Sequence, residues 1–277
     1  MGEVLTASSF EKSLQGQATS LEDEDPFSSF LGNTDLVPPA DDVTMFAGVD
    51  YATSHAGVLE VDLNGALVKI KHDGGATGCG GKVWPAGELL SKYLVSAEKN
   101  SDYVAHDLIW KQASKRKVKI IELGSGTGLV GLALGRAYNV SGNVTDDSHG
   151  LDIIVTDQEN MLNLMEDNVS LNNLNKEVSA AVLDWGSELP ERFNSPDIIL
   201  AADCVYFEPA FPLLEKTLLD LTTPETFVLM SYKKRRRADI RFFHSIRKHF
   251  RLEEIKNYDE YPSFSRETVF LYRLIRK

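Results

Sequence analysis

The stretch that decides the fold reads Ile120-Ile-Glu-Leu-Gly-Ser-Gly-Thr-Gly-Leu129. An apolar run that ends in an acidic residue is typical of a buried strand. Three glycines follow at alternate positions, and glycine lets the chain turn sharply and lets a ligand approach the backbone. An apolar-periodic segment that begins at Leu129 predicts a helix. This order of strand, glycine turn and helix predicts a ligand site at the carboxyl edge of an open α/β sheet.

Strands and helices alternate along the chain from this stretch onward. Apolar periodicity predicts one set of strands, at residues 118–123, 152–156, 178–183, 197–201, 226–231, 252–255 and 268–275. It predicts helices at residues 129–138, 160–173, 211–221 and 238–249, and another that opens at Pro85. Such alternation indicates βαβ units and a parallel sheet. The last two strands have no helix-length segment between them, so we expect them to pair antiparallel.

Two features precede the sheet. Alternating residues flank Asn64-Gly65, a dipeptide suited to positive φ at both turn positions, and this pattern predicts a β-hairpin. Residues 1–45 are polar and broken by prolines, and residues 1–50 contain ten acidic residues and one lysine. So little apolar surface cannot offset the entropy of ordering the chain. We therefore expect a disordered acidic extension over residues 1–45 and a folded domain over residues 46–277.

The composition limits the classes of protein and of partner. The chain has 277 residues, 43% of them hydrophobic, as in a globular protein. No apolar run approaches the ~20 residues that span a bilayer. The two cysteines, Cys79 and Cys204, are far apart, the histidines show no metal-ligand spacing, and the net charge is −12. We expect a cytoplasmic monomer with reduced thiols and without a metal, a membrane or a nucleic acid as partner.

The glycine stretch has two interpretations. Residues 126–131 match G-x-G-x-x-G, the dinucleotide fingerprint, which would predict a nicotinamide-dependent oxidoreductase. Residues 122–128, with an acidic residue before three alternate glycines, fit better as the first motif of class I methyltransferases, which bind S-adenosylmethionine. A catalytically idle binding module on the same fold is a third reading.

Three further segments narrow the class to a family. They are Gly78-Cys-Gly-Gly-Lys-Val-Trp-Pro-Ala-Gly-Glu-Leu-Leu-Ser-Lys-Tyr93, Leu183-Asp-Trp-Gly186 and Ala201-Ala-Asp-Cys-Val-Tyr206. Together with the glycine motif they resemble the eukaryotic seven-strand protein-lysine methyltransferases that act on chaperones, AAA ATPases and elongation factors. The D-x-x-Y of Asp203 and Tyr206 is the most specific mark. The sequence of residues 78–90 is most similar to the corresponding segment of the fungal enzymes that methylate elongation factor 1-alpha.

The resemblance implies a fold, a reaction and a set of site residues. The fold is a Rossmann-like seven-stranded class I methyltransferase sheet with helices on both faces, preceded by the hairpin. The cofactor is S-adenosylmethionine and the partner is a protein substrate, elongation factor 1-alpha or another protein such as an AAA ATPase or a chaperone. The expected cofactor-binding residues are Trp84, Gly124, Ser125, Gly126, Asp157, Trp185 and Ala202. Asp203 and Tyr206 are expected on the acceptor side, where Asp203 orients the lysine and Tyr206 lines its channel.

Each of these residues has a purely structural alternative. A tryptophan such as Trp84 or Trp185 is more often a core aromatic, Asp157 can cap the following helix, and Asp203 can simply terminate a strand. The basic run at residues 233–237 is also ambiguous. It follows a strand on the ligand side, so it either docks an acidic face of the substrate or is a solvated loop.

Overall fold

The computed structural model describes residues 56–76, 79–143, 145–146 and 148–277. The predicted acidic extension, residues 1–45, lies outside the described residues, and so does the start of the predicted folded domain.

A two-stranded hairpin and a seven-stranded sheet contain all the strands of the described part. The hairpin consists of β1 (Gly57–Leu63) and β2 (Ala66–His72), and its turn residues Asn64 and Gly65 have φ of 54° and 97°. The strands of the large sheet are β3 (Lys117–Leu123), β4 (Gly150–Asp157), β5 (Val178–Val182), β6 (Ile198–Ala202), β7 (Phe227–Lys233), β8 (Phe250–Glu254) and β9 (Val269–Arg276). Their spatial order is β5-β4-β3-β6-β7-β9-β8. Strand β9 runs in the opposite direction to the other six strands of this sheet.

Within the residues that the structure describes, six helices accompany the strands. They are α1 (Pro85–Ser96), α2 (Leu129–Val140), α3 (Leu162–Leu171), α4 (Phe211–Leu221), α5 (Asp239–Ile246) and α6 (Tyr261–Arg266). Helical turns also occur at Cys79–Gly81, His106–Trp110, Lys111–Ala113, Glu159–Met161, Glu191–Phe193 and Glu208–Ala210. In the described part of the chain, no helix is long and apolar enough to cross a membrane.

The sheet separates two hydrophobic cores, because successive residues of a strand point to opposite faces. In β3, Ile120 belongs to the core shared with the hairpin and helices α1, α2 and α3. Its neighbour Ile121 belongs to the core that contains Phe211 of α4 and Phe242 of α5. Helices therefore cover both faces of the sheet, as predicted.

The hairpin is bound to helix α3 by two asparagines. Asn168 Oδ1 accepts a hydrogen bond from the backbone N–H of Lys71 at 2.6 Å, and its Nδ2 donates to the Lys71 carbonyl at 2.9 Å. Asn172 makes the same two bonds to the backbone of Lys69, at 2.9 and 2.7 Å. Asn168 Nδ2 also donates to the carbonyl of Thr127, inside the glycine stretch, at 2.9 Å. The hairpin and the glycine stretch are thus held by one side chain.

The predicted fold class is confirmed: the structure contains the hairpin, the mixed seven-stranded sheet and the antiparallel last pair. Some short elements were not predicted. Between α1 and β3, where the sequence analysis names no element, the structure contains the helical turns from His106 to Ala113. The six-residue helix α6 lies between the last two strands and is too short for a helical period to be recognised.

Candidate active site

The carboxyl ends of the parallel strands bring the predicted site residues to one edge of the sheet. The strand order reverses between β3 and β6, and open α/β sheets bind ligands in the crevice at such a reversal. The predicted residues occupy this edge as follows: Gly124, Ser125 and Gly126 follow β3, Asp157 ends β4, Trp185 follows β5, Ala202 ends β6, and Asp203 and Tyr206 come next. Trp84 directly precedes α1, whose first turn is tied to the end of β7 by the Ser231 hydroxyl, which donates to the Ala86 carbonyl at 2.7 Å.

The glycine turn requires glycine at two positions. Gly124 and Gly126 have φ of 58° and 55°, a left-handed conformation that other residues rarely adopt. A Cβ on Gly124 would lie 2.9 Å from the Trp185 ring, and one on Gly126 would lie 2.5 Å from the carbonyl oxygen of Gly80. The segment that precedes Trp84 therefore packs directly against the turn, and any side chain on Gly126 would separate the two.

The side chains of Glu122 and Ser125 link the glycine turn to the neighbouring strands and to helix α2. The Ser125 hydroxyl accepts from the Thr156 N–H at 2.9 Å and donates to the Glu122 carbonyl at 3.1 Å, so it is used inside the protein. Glu122 is 1% exposed, and its Oε2 accepts from the Gly131 N–H in the first turn of α2 at 2.7 Å. Burial raises the pKa of Glu122 to about 8. The acidic residue of the motif is thus a helix cap beneath the site.

Asp157 binds the glycine turn as well. Its Oδ2 accepts from the Gly126 N–H and its Oδ1 from the Gln158 N–H, each at 2.8 Å. The side chain does not cap α3, which was the structural alternative, because the turn Glu159–Met161 precedes that helix without a side-chain cap. Desolvation by burial raises the pKa of Asp157. Each carboxylate oxygen has a second lone pair, so the group retains acceptor capacity toward a ligand.

Trp84 and Trp185 are both half-buried at this edge, and Trp185 also packs against the core that contains Phe211. Trp84 Nε1 donates to the Cys79 carbonyl at 2.9 Å, which fixes the ring beside the segment that packs on Gly126. Ala202 is half-buried as well. These residues are partly accessible and lie beside a backbone turn that requires glycine. Such a site fits S-adenosylmethionine, which has a flat adenine, a ribose and a polar amino-acid end.

Asp203 lies at the turn after β6. Its φ is 58°, its N–H donates to the Ser231 carbonyl at 2.9 Å, and its side chain is 5% exposed. Tyr206 is 44% exposed, and burial of its hydroxyl end raises its pKa. Between them Cys204 is buried and donates to the Leu123 carbonyl at 3.1 Å. Burial raises the pKa of the Cys204 thiol well above its usual range, which agrees with a packing role rather than a nucleophile.

Two arginines of the basic run have partners that neither sequence interpretation included. Arg235 binds the carboxylate of Asp203, and Arg236 binds the carboxylate of Asp239 and the carbonyl of Tyr206. These two arginines therefore belong to the wall of the site and are not a free docking patch. The sequence shows that these residues are charged, but it could not predict their partners, which lie up to 32 positions away in the chain.

Three relatives of this chain are named as lysine methyltransferases. A protein of Saccharomyces cerevisiae named protein-lysine N-methyltransferase EFM6 is 42% identical over 237 residues, which cover 80% of this chain and 93% of the relative. The Danio rerio protein N-lysine methyltransferase METTL21A is 31% identical, with coverage of 80% and 89%. The Xenopus tropicalis EEF1A lysine methyltransferase 3 is 30% identical, with coverage of 69% and 75%.

A solved structure supports the fold independently. The 16S rRNA N2 G1207 methyltransferase RsmC of T. thermophilus, in complex with AdoMet and guanosine, matches with a TM-score of 0.52 at 16% identity. The match covers 82% of this chain and 52% of that one. At this identity the likeness is evidence of a shared fold.

The sequence pattern of a family described as lysine methyltransferase matches residues 62–249, more than half of the chain. The match includes the glycine turn, Asp157, Trp185 and the D-x-x-Y segment. It confirms the predicted enzyme class and its cofactor, S-adenosylmethionine, and it decides against the nicotinamide interpretation of the glycine stretch. The chain belongs to the lysine methyltransferase family.

Proposed function

We propose that this protein methylates a lysine of elongation factor 1-alpha. The observation that carries the choice of substrate is the name of one relative, EEF1A lysine methyltransferase 3, at 30% identity over 69% of this chain. Residues 78–90 support the same substrate, because their sequence, with Gly-Cys-Gly-Gly-Lys and Ala-Gly-Glu-Leu-Leu, resembles that of the fungal enzymes that methylate elongation factor 1-alpha.

The proposed cofactor side consists of Trp84, Gly124, Ser125, Gly126, Asp157, Trp185 and Ala202. Asp157 would accept hydrogen bonds from the ribose hydroxyls through its remaining lone pairs. Trp185, which lies against Gly124, would flank the adenine, while Trp84 would close the other side. Ser125 would contribute its backbone, because its hydroxyl is bonded to the strands.

The proposed acceptor side consists of Asp203 and Tyr206. The cofactor supplies an electrophilic methyl group when it is bound. The acceptor lysine would have to present a neutral nitrogen to that methyl group, and its proton would leave to solvent. Because the amine is protonated near neutral pH, a site that desolvates it favours the reactive form. Alignment of the nitrogen with the methyl group supplies most of the remaining acceleration, so no general base is assigned.

The test is methyl transfer to a defined acceptor. Elongation factor 1-alpha of Saccharomyces cerevisiae, produced in bacteria, is incubated with the enzyme and tritiated S-adenosylmethionine, beside an AAA ATPase and a chaperone produced in the same way. We expect label in the elongation factor, on a lysine that mass spectrometry identifies. Asp203→Ala should bind the cofactor within a few fold of the wild type and lose most of the transfer.

Two outcomes would overturn parts of this proposal. Label on the AAA ATPase or the chaperone, with none on the elongation factor, would replace the substrate and leave the enzyme class as it is. Normal transfer by Asp203→Ala would make the D-x-x-Y segment structural.

A further inference from the structure

Two consecutive arginines hold the two ends of the D-x-x-Y segment. Arg235 Nη1 donates to Asp203 Oδ1 at 2.7 Å and its Nη2 to Asp203 Oδ2 at 2.5 Å, which is a two-pronged, charge-assisted pair. Arg236 Nη2 donates to the carbonyl oxygen of Tyr206 at the other end. The segment between Asp203 and Tyr206 is thus fixed at its first side chain and at its last carbonyl.

Each arginine is itself anchored. The guanidinium carbon of Arg235 lies 5.3 Å from the centroid of the Trp84 ring, within the range of a cation–π contact. Arg236 binds Asp239 Oδ1 at 3.1 Å, and Asp239 is 1% exposed and also accepts from the Tyr232 hydroxyl at 3.0 Å. These anchors keep both guanidinium groups in place.

The Arg235 pair changes what Asp203 can do. Both carboxylate oxygens face the guanidinium fork, and Oδ1 also accepts from the Lys233 N–H at 3.3 Å. The charge of the carboxylate is balanced inside the protein, so an incoming lysine ammonium meets a neutral pair rather than a free anion. Because the pair leaves no uncompensated negative charge, it would not stabilise the ammonium form of the acceptor over the neutral amine that methyl transfer requires.

We infer that Arg235 and Arg236 are positioning residues for methyl transfer, and that Asp203 acts through Arg235 and Trp84 rather than by binding the acceptor ammonium directly. This inference rests on the proposed function, in which the D-x-x-Y segment lies on the acceptor side and Trp84 on the cofactor side, and it replaces the expected direct contact of Asp203 with the lysine. It assigns a function to the basic run that requires no contact with the substrate protein.

The experiment compares Arg235→Ala, Arg235→Lys and Arg236→Ala with a matched control, Arg251→Ala. Arg251 is 64% exposed on the edge strand β8, where it pairs with Glu253. The acceptor is the protein that the wild type labels, whether it is elongation factor 1-alpha or another protein identified in a cell extract. We expect Arg235→Ala and Arg236→Ala to lower kcat at least tenfold, with the Kd of S-adenosylmethionine within a few fold of the wild type. Each change leaves a buried carboxylate, Asp203 or Asp239, without its arginine, so Tm should fall and kcat is measured well below the Tm of each variant. Arg235→Lys keeps the charge without the fork, so we expect it to rescue only a minor part of the loss.

Two further readouts separate this role from general destabilisation and from an error in the proposed substrate. If Asp203 acts through Arg235, the double variant Asp203→Asn/Arg235→Ala should have the same kcat as the more damaged single variant. Hydrogen exchange of residues 203–206 should quicken in Arg235→Ala and Arg236→Ala and stay unchanged in Arg251→Ala, and this measurement needs no acceptor.

The inference is overturned if Arg235→Ala and Arg236→Ala keep kcat within twofold, if Arg235→Lys restores it fully, or if the losses of Asp203→Asn and Arg235→Ala multiply. A wild type that labels a different protein would overturn the proposed substrate, while these comparisons would still decide the role of the arginines.

Discussion

Replacing Glu122 with glutamine should make the protein less sensitive to alkaline pH. Glu122 lies beneath the glycine turn, is 1% exposed, and has a pKa that burial raises to about 8 from an ordinary value of 4.5. The folded protein therefore keeps a proton on this carboxyl group between about pH 4.5 and pH 8, while the unfolded chain has lost it. The stability that this proton provides is complete below the unfolded pKa and is lost as the pH rises through the folded pKa.

The size of the effect follows from the two pKa values. One pKa unit corresponds to about 1.4 kcal/mol, and the difference in proton binding between pH 6 and pH 8 amounts to roughly 1.7 units. The wild type should therefore lose about 2 kcal/mol of unfolding free energy over this interval through Glu122 alone. Glutamine cannot ionise, and its carbonyl oxygen can still accept from the Gly131 N–H that Glu122 binds at 2.7 Å.

The measurement is urea denaturation of both proteins at pH 6 and at pH 8. Other titrating groups are common to the two proteins, so they cancel when the pH dependence of the variant is subtracted from that of the wild type. A difference near zero would refute the raised pKa of Glu122 and the view that its carboxyl group is neutral under physiological conditions.

Three other changes test the site and its support. Asp157→Ala should weaken S-adenosylmethionine binding by about 1.5–3 kcal/mol, the usual loss of a charge-assisted hydrogen bond, and unchanged affinity by calorimetry would remove the proposed ribose contact. Gly126→Ala should abolish measurable cofactor binding in a protein that still folds. The φ of residue 126 is 55°, and its new Cβ would lie 2.5 Å from the Gly80 carbonyl oxygen. Near-normal binding would show that the segment around Gly80 can move away. Asn168→Ala removes the partner of one buried and two partly buried backbone groups and should lower the unfolding free energy by about 3 kcal/mol. Exposed Asn175→Ala should change it by less than about 0.5 kcal/mol, and equal effects in urea denaturation would contradict the bridging role of Asn168.

The sequence predicted the elements that local pattern determines. Hydrophobic periodicity located the strands of the sheet, Asn64-Gly65 located the hairpin turn, and Pro85 marked the start of α1, as the structure confirms. The glycine motif located the ligand edge because a strand, a turn and a helix must follow one another there. These features depend on neighbours in the chain.

The contacts that hold the site depend instead on residues distant in sequence. Arg235 belongs to a run of five basic residues, and its charge looks the same whether it faces solvent or Asp203. Asn168 and Asn172 are spaced like a solvated helix face, although both are buried against β2. Nothing in the local pattern distinguishes an inward polar side chain from an outward one, so these residues could be found only once the fold had placed their partners.

Asn168 of α3 and Asn172, which directly follows this helix, also bear on self-association. An outer strand offers a row of unpaired N–H and C=O groups, to which a strand of another molecule can add. On β2 that row includes the backbone groups of Lys69 and Lys71, and Asn172 and Asn168 already occupy them, as a paired strand would. Losing either amide would therefore do more than loosen the hairpin. It would leave N–H and C=O groups of an edge strand free to pair with another molecule, so we expect aggregation on expression as an early sign of damage at this contact.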